Sequence, residues 1–278
     1  MTHPPLLTDR PALTRHRARA LANGPALFLH EDAAAEIEER LNEVNRTFNS
    51  VAVVTGFPNP WRKILPDAVI IPDEDVLELE SGAYDLVVHG LSLHWANDPV
   101  GQIVQCHRAL RPDGLFLAAM FGGQTLAELR AALAEAEVAV TGGLSPRVLP
   151  MGEIRELGAL LQRAGFALPV ADAVTRKVTY RDAPHLMADL RAMGEGNALN
   201  ARKRNATARA VFAEATKIYH AAYAEPDGRV RATFELIYLT GWAPHESQQK
   251  PLRPGSAVQR LADVLGAAER SPATPRKD

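Results

Sequence analysis

Gly82–Gly123, GAYDLVVHGLSLHWANDPVGQIVQCHRALRPDGLFLAAMFGG, decides how this chain folds. Tyr84–His89 is a short, β-branched, nearly continuous apolar run, the pattern of a strand covered on both faces. Asp98 and Pro99 then start a helix, because aspartate caps free N–H groups and a proline in the first turn has none to lose. Val100, Ile103, Val104 and Leu110 recur at helical spacing, and Arg111-Pro112-Asp113-Gly114 stops the helix and turns the chain. Leu115–Met120 is the next buried strand. Strand, helix and strand make a right-handed crossover in a parallel sheet, so ligands are expected at the carboxyl ends of the strands, Gly90–Asp98 and Phe121–Gln124.

Upstream, Val51–Val54 reads as the first buried strand, followed by the loop Thr55-Gly56-Phe57-Pro58-Asn59-Pro60. In nucleoside-binding α/β folds this turn is glycine-rich, and an acidic residue further on bonds the ribose. Here a single glycine, Gly56, remains, Phe57 adds bulk, and Pro58 and Pro60 remove two N–H groups. Ala68–Ile71 is the next strand, ending in Pro72-Asp73-Glu74. If it is the second strand, Asp73 is the ribose acid and a third strand is missing. If it is the third, as DEDVLELESGAYDLVV resembles the run before the fourth strand of class I methyltransferases, the Asp73–Glu74 pair would lie near the adenine amine, and this second reading is preferred. In either case Gly56 to Asp85 is too short for two complete βα units and a return strand, at roughly 30 residues per unit. One βα unit is expected to be absent.

Downstream, Thr125–Val140 and Met151–Ala164 carry apolar residues at helical spacing, and Phe166–Tyr180 holds one or two strands. Asp182–Glu225 is helical and broken at Met193-Gly194-Glu195-Gly196-Asn197, a lid over the sheet's carboxyl edge. Val230–Leu239 alternates as a final, antiparallel strand. At the other end, Asp32–Val44 is an amphipathic helix, and Met1–Pro11 is expected to fray. The domain expectation is an N-terminal helical segment over 1–46, a core over 47–181, the lid over 182–225, the last strand and its loop over 226–257, and a short helix with a disordered tail over 258–278.

Thirty-one basic residues against 33 acidic ones leave a net charge of −2, which favours neither nucleic acid nor an anionic membrane as the main partner. With no run of 18 apolar residues, no membrane span is expected. Arg10, Arg15, Arg17 and Arg19 are dense enough to suggest a transit peptide, but arginine is preferred throughout, and a bacterial cytoplasm is favoured. Cys106, the single cysteine, reads as a packing residue. His89, His94, His107, His245 and Glu246 show no metal-ligand spacing, so no metal is expected.

DLVV, a polar lip and then RALRPDGLFLAAM resemble the second half of a class I S-adenosylmethionine-dependent methyltransferase. LSLHWANDP, AMFGGQTLAELR and GWAPHESQQKPLRPGSA are narrower, and resemble the methyltransferase-like assembly factors of respiratory complex I and their alphaproteobacterial relatives. The resemblance spans Leu7 to Ala257. It implies an α/β fold, a doubly wound, mostly parallel Rossmann-like sheet with an antiparallel last strand and a helical lid, and this chain departs from that pattern by the one βα unit it is expected to lack. It implies S-adenosylmethionine as cofactor, with Gly56, Asp73, Glu74, Leu91, His94 and Trp95 on the cofactor side. Phe121, Gly122, Gly123 and His245 are expected on the substrate side. Methyl transfer rests on proximity and orientation, so no catalytic residue is assigned. The function expected is a methyltransferase-family protein with a degenerate cofactor loop acting on a small-molecule or protein acceptor. The alternative is a non-catalytic or arginine-hydroxylating assembly factor bound to a complex I subunit.

Overall fold

The computed structural model describes residues 6–248. The chain divides into two units, Met1–Pro244 and His245–Asp278, and the sheet and its helices belong to the first. The expected loop beyond Gln248 and the C-terminal helix and tail lie outside the described residues.

The decisive stretch folds as read, with one change at its turn. Strand β3 (Tyr84–Gly90) leads through a single 3-10 turn, Leu93–Trp95, into helix α4 (Pro99–Ala109), where the Asp98 carboxylate accepts from Gly101 N at 2.8 Å. The next strand, β4, runs from Leu110 to Phe121 and so absorbs Arg111–Gly114, which had been expected to turn the chain. A register shift between Tyr84 and Leu86 accommodates the extra residues while Asp113 takes a positive φ of 62°.

β1 (Val51–Thr55) pairs parallel with β3 on one side and with the short β2 (Val69–Ile71) on the other. Asp73 does not end a third strand, as had been preferred. Thr55 to Asp67 carries only α3 (Pro58–Ile64), so the returning strand lands in the slot beside β1, and no described strand lies beyond it. Asp73 therefore follows the second strand and the third is missing. β5 (Ala167–Tyr180) and β6 (Val230–Trp242) complete a six-stranded sheet in the order β2-β1-β3-β4-β6-β5, with both pairings of β6 antiparallel.

Side chains alternate across the sheet as the pleat requires. Val53, Leu86, Val88, Leu115 and Leu117 enter a core shared with α2 (Phe28–Glu43), α5 (Ala127–Thr141), α7 (Ala183–Ala192) and α8 (Arg209–Tyr223). Their neighbours Ala52, Val54, Val87, Phe116 and Ala118 enter a second core under α4 and α6 (Ile154–Arg163). Both faces are covered, which is why the strands read as continuous apolar runs.

A helix that the periodicity did not suggest, α1 (Arg10–Ala22), precedes α2. Asp9 caps it by accepting from Ala12 N at 3.0 Å, and the same carboxylate pairs with Arg202 and Arg204 at 2.9 and 2.7 Å. Thr8 bridges to Leu199. The segment expected to fray is thus tied down from Leu7 onward, where the Leu7 carbonyl accepts from Asn200 N at 2.8 Å, and Arg202 and Arg204 are held in ion pairs.

Candidate functional site

The carboxyl ends of β1, β2, β3 and β4 meet at one edge of the sheet, and the polar residues of the site gather there. At the end of β1, Thr55 Oγ1 donates to the Gly90 carbonyl at 2.9 Å and accepts from Phe57 N at 3.2 Å, which folds the turn inward and buries Phe57. Trp61 of α3 is fully buried against Gly90: a Cβ on that glycine would stand 2.4 Å from the indole.

Arginines of α1 fill the space over this turn. Arg17 Nη1 lies 2.6 Å from Asp73 Oδ1 and Arg10 Nη1 lies 3.4 Å from Oδ2, while Arg10 Nη2 donates to the Asp73 carbonyl. The Arg17 and Asp73 side chains are only 9% and 6% exposed, so the pair is buried. A Cβ on Gly56 would sit 2.4 Å from Arg17 Cζ, so the glycine accommodates the guanidinium of this chain. Burial alone would raise the Asp73 carboxyl pKa, but Arg17 and Arg10 outweigh it and hold the group below the usual carboxylate range. Glu74 is mostly exposed and only 3.7 Å from Arg10.

The 3-10 turn after β3 places the remaining candidates. Leu91 takes φ 50° and is buried in the core, where its backbone N–H donates to Ala119, so it serves the turn's shape. Trp95 Nε1 donates to Glu195 Oε2 at 2.7 Å. His94 Nε2 stands 3.4 Å from the same oxygen, an ion-pair distance without an aligned hydrogen bond, and its ring packs 4.7 Å from Phe121. Burial pushes the Glu195 carboxyl up, yet the facing His94 ring, together with Arg17 and the Trp95 N–H, holds it below the usual carboxylate range. Two other histidines are kept neutral, chiefly by burial: His30 is pushed down to about 3 and His89 to about 4. His89 Nε2 is fixed by Gln102 at 2.9 Å.

Beside this network opens a cavity of about 370 Å³, within the range of small-ligand sites. Phe121, Leu126, Leu129, Leu133, Leu190 and Phe234 form its apolar wall, and Trp95 and Glu195 also line it. Of the substrate-side candidates, Phe121 faces the cavity. Gly122 and Gly123 are close to carboxylates of this chain, since added Cβ atoms would meet Glu235 at 2.3 Å and Glu153 at 2.4 Å. His245 belongs to the second unit, where its Nδ1 bonds Ser247 Oγ at 2.7 Å.

Arg17 and Glu195 were not among the sequence candidates. Glu195 sits in the Met193–Asn197 break, where Gly194 has φ 76° and its missing Cβ leaves room for Phe57 and Arg17. Among the described residues no three His, Cys, Asp or Glu side chains converge as a metal site, and no helix is long and apolar enough to cross a membrane.

Residues 41–118 match a family model described as a methyltransferase domain. Over 232 residues the chain is 38% identical to the zebrafish (Danio rerio) mitochondrial arginine-hydroxylase NDUFAF5, covering 83% of this chain and 72% of that protein. It is 36% identical over 193 residues to the malonyl-[acyl-carrier protein] O-methyltransferase of Laribacter hongkongensis, covering 69% and 62%. The solved structure of the YcgJ protein from Bacillus subtilis superposes with a TM-score of 0.49 at 9% identity, over 77% of this chain and 99% of that one.

Proposed function

The chain belongs to the methyltransferase-fold family that includes the arginine-hydroxylase NDUFAF5, and from that premise we propose that it is an S-adenosylmethionine-dependent enzyme of a bacterial cytoplasm acting on a small-molecule or protein acceptor. The observation that carries this reading is the cavity behind Trp95 and Phe121 at the carboxyl edge of the sheet, beside the turn at Gly56 that the buried Arg17–Asp73 pair covers.

The donor set suits a polar nucleoside cofactor. Buried His30 Nδ1, Trp61 Nε1 and His94 Nε2 make no hydrogen bond, and unsatisfied groups of this kind are what a polar ligand meets. Gly56, Asp73 and Glu74 would hold the cofactor from the strand ends. The space itself belongs to the Arg17 guanidinium, the far end of a flexible side chain, which must withdraw first. When bound, S-adenosylmethionine supplies an electrophilic methyl group. Trp95 and Phe121 position the acceptor and exclude water. Glu195 accepts from the Trp95 N–H and so fixes the indole that faces the acceptor. Isothermal titration tests the reading: one-to-one binding of S-adenosylmethionine supports it, and no heat at millimolar concentration ends it.

A second reading, in which the protein binds a respiratory complex I subunit and modifies its arginine or acts without catalysis, is favoured by the Arg17–Asp73 pair filling the cofactor space. A pull-down from an alphaproteobacterium tests it. Failure to recover any complex I subunit, under conditions that preserve weak complexes, would remove it.

A further inference from the structure

The mouth of the cavity behind Trp95 is as distinctive as its wall. His16 and Arg19 from α1, Arg191 from the end of α7, and Lys203 all line it. Arg147 and Arg202 line it too, but these two are already engaged, Arg147 with Glu137 at 2.7 Å and Arg202 with Asp9 at 2.9 Å. Arg19, Arg191 and Lys203 are exposed and make no ion pair among the described residues. The one acidic group lining the cavity is Glu195, which sits on the Trp95 and His94 side and is occupied by them.

Uncommitted cations around an apolar recess are a recognisable arrangement. The apolar residues of the wall offer burial to a hydrocarbon chain, with Thr125, Asn197 and Thr207 the uncharged polar residues among them. The mouth offers attraction to an anion and repels a cation, and the low-dielectric wall sharpens that field. Burial lowers the His16 pKa first, and the neighbouring charges of Arg19, Arg202 and Arg15 lower it further, which is what a positive potential at the mouth does to an imidazole.

We infer that this cavity binds a single acyl chain ending in an anionic head, the chain against Leu129, Leu133 and Phe234 and the head among Arg19, Arg191 and Lys203. The inference deepens the reading of the cavity as the acceptor side of the site, and names the chemistry of the acceptor. A double-chain lipid exceeds a volume of about 370 Å³, so the ligand is a single chain in solution.

The test is equilibrium binding without any methyl donor, so its failure stays separate from failure of methyl transfer. Trp95 lines the cavity, and its fluorescence reports occupancy. Decanoate, decyl phosphate, decanol and decylamine are titrated into the full-length protein at low and high salt. Decanoate or decyl phosphate should bind at least about tenfold more tightly than decanol, with the preference shrinking as salt rises. Comparison of the two anions tells which head is preferred. Decylamine should bind most weakly. The exposed charge reversals Arg19→Glu and Lys203→Glu together should weaken the anions by about tenfold and leave decanol unchanged. Equal affinity for anion and alcohol, tighter binding of decylamine, or no binding of any of the four would overturn the inference. Anion affinity unmoved by the double reversal would overturn it as well, and circular dichroism of the variant shows that the protein compared is folded.

Discussion

Replacing Arg17 with alanine tests the arrangement over Gly56 most directly. The substitution removes one partner of a buried ion pair whose atoms are 2.6 Å apart, and leaves the Asp73 carboxylate with Arg10 at 3.4 Å on its other oxygen. Breaking a buried pair by deleting one member costs about 3–5 kcal/mol because the remaining charge is stranded. The retained Arg10 contact, and water entering the space above Gly56, place the loss at the low end, about 3 kcal/mol. Urea denaturation of the wild type, Arg17→Ala, Asp73→Asn and the double variant gives the coupling between the two groups. A value above about 1 kcal/mol is expected for residues in contact. The same substitution should tighten S-adenosylmethionine binding by about fivefold to tenfold, because a ligand that must displace Arg17 gives up that interaction on entry. A variant as stable as wild type, within about 0.5 kcal/mol, with unchanged cofactor affinity would refute the reasoning.

Glu195→Gln preserves shape but turns the Trp95 N–H bond into a neutral one and removes the partner of His94. It should cost about 1.5–3 kcal/mol in urea and shift the tryptophan emission, whereas an unshifted spectrum would count against the contact. His30 and His89 have folded pKa values pushed down to about 3 and about 4, so the unfolded chain binds more protons below about pH 6.5. Stability should be fully present above that pH and fall as pH drops toward 4, by up to about 1.4 kcal/mol per pH unit for each histidine. A flat urea midpoint between pH 7.5 and 4.5 would contradict this. Cys106 is fully buried and its thiol pKa is pushed up by burial, so a thiol reagent such as dithiobis(nitrobenzoate) should react only as the protein unfolds. Immediate stoichiometric labelling of the native protein would be the contrary result.

The fold was legible wherever a strand is buried on both faces, because burial of both pleat sides leaves an apolar run that polar residues cannot interrupt. Tyr84–Gly90 and Leu115–Phe121 are such runs, and their alternating assignment to the two cores follows from the pleat. The absence of one βα unit was legible from chain length alone. The slot taken by Val69–Ile71 was not, because pairing is a tertiary choice and three residues carry no register signal. α1 escaped notice because its buried residues, Ala12, Leu13, Arg17 and Ala20, include an arginine where an apolar residue would have revealed the stripe. Its start signals, Asp9 and Pro11, stood in the sequence nonetheless. Within the site, Trp95, His94 and Phe121 could be nominated from their place at strand ends. Arg17 and Glu195 could not, since each acquires its role from a residue far away in sequence, Asp73 and Trp95.

The shortened sheet also has a consequence for how the molecule ends at its sides. One border is β2, three residues long, with Val69 half exposed. So brief a row of unpaired backbone groups offers little template for another chain to extend. The opposite border is β5, fourteen residues long, with Val170 exposed as well. That length is the hazard, and the strand answers it with Pro169, a register shift between Ala167 and Val170, and Asp172, Arg176 and Lys177 along its course. Losing a βα unit left a stub at one margin, and the other margin is guarded by proline and charge, so a sheet with two open sides resists growing into a fibril.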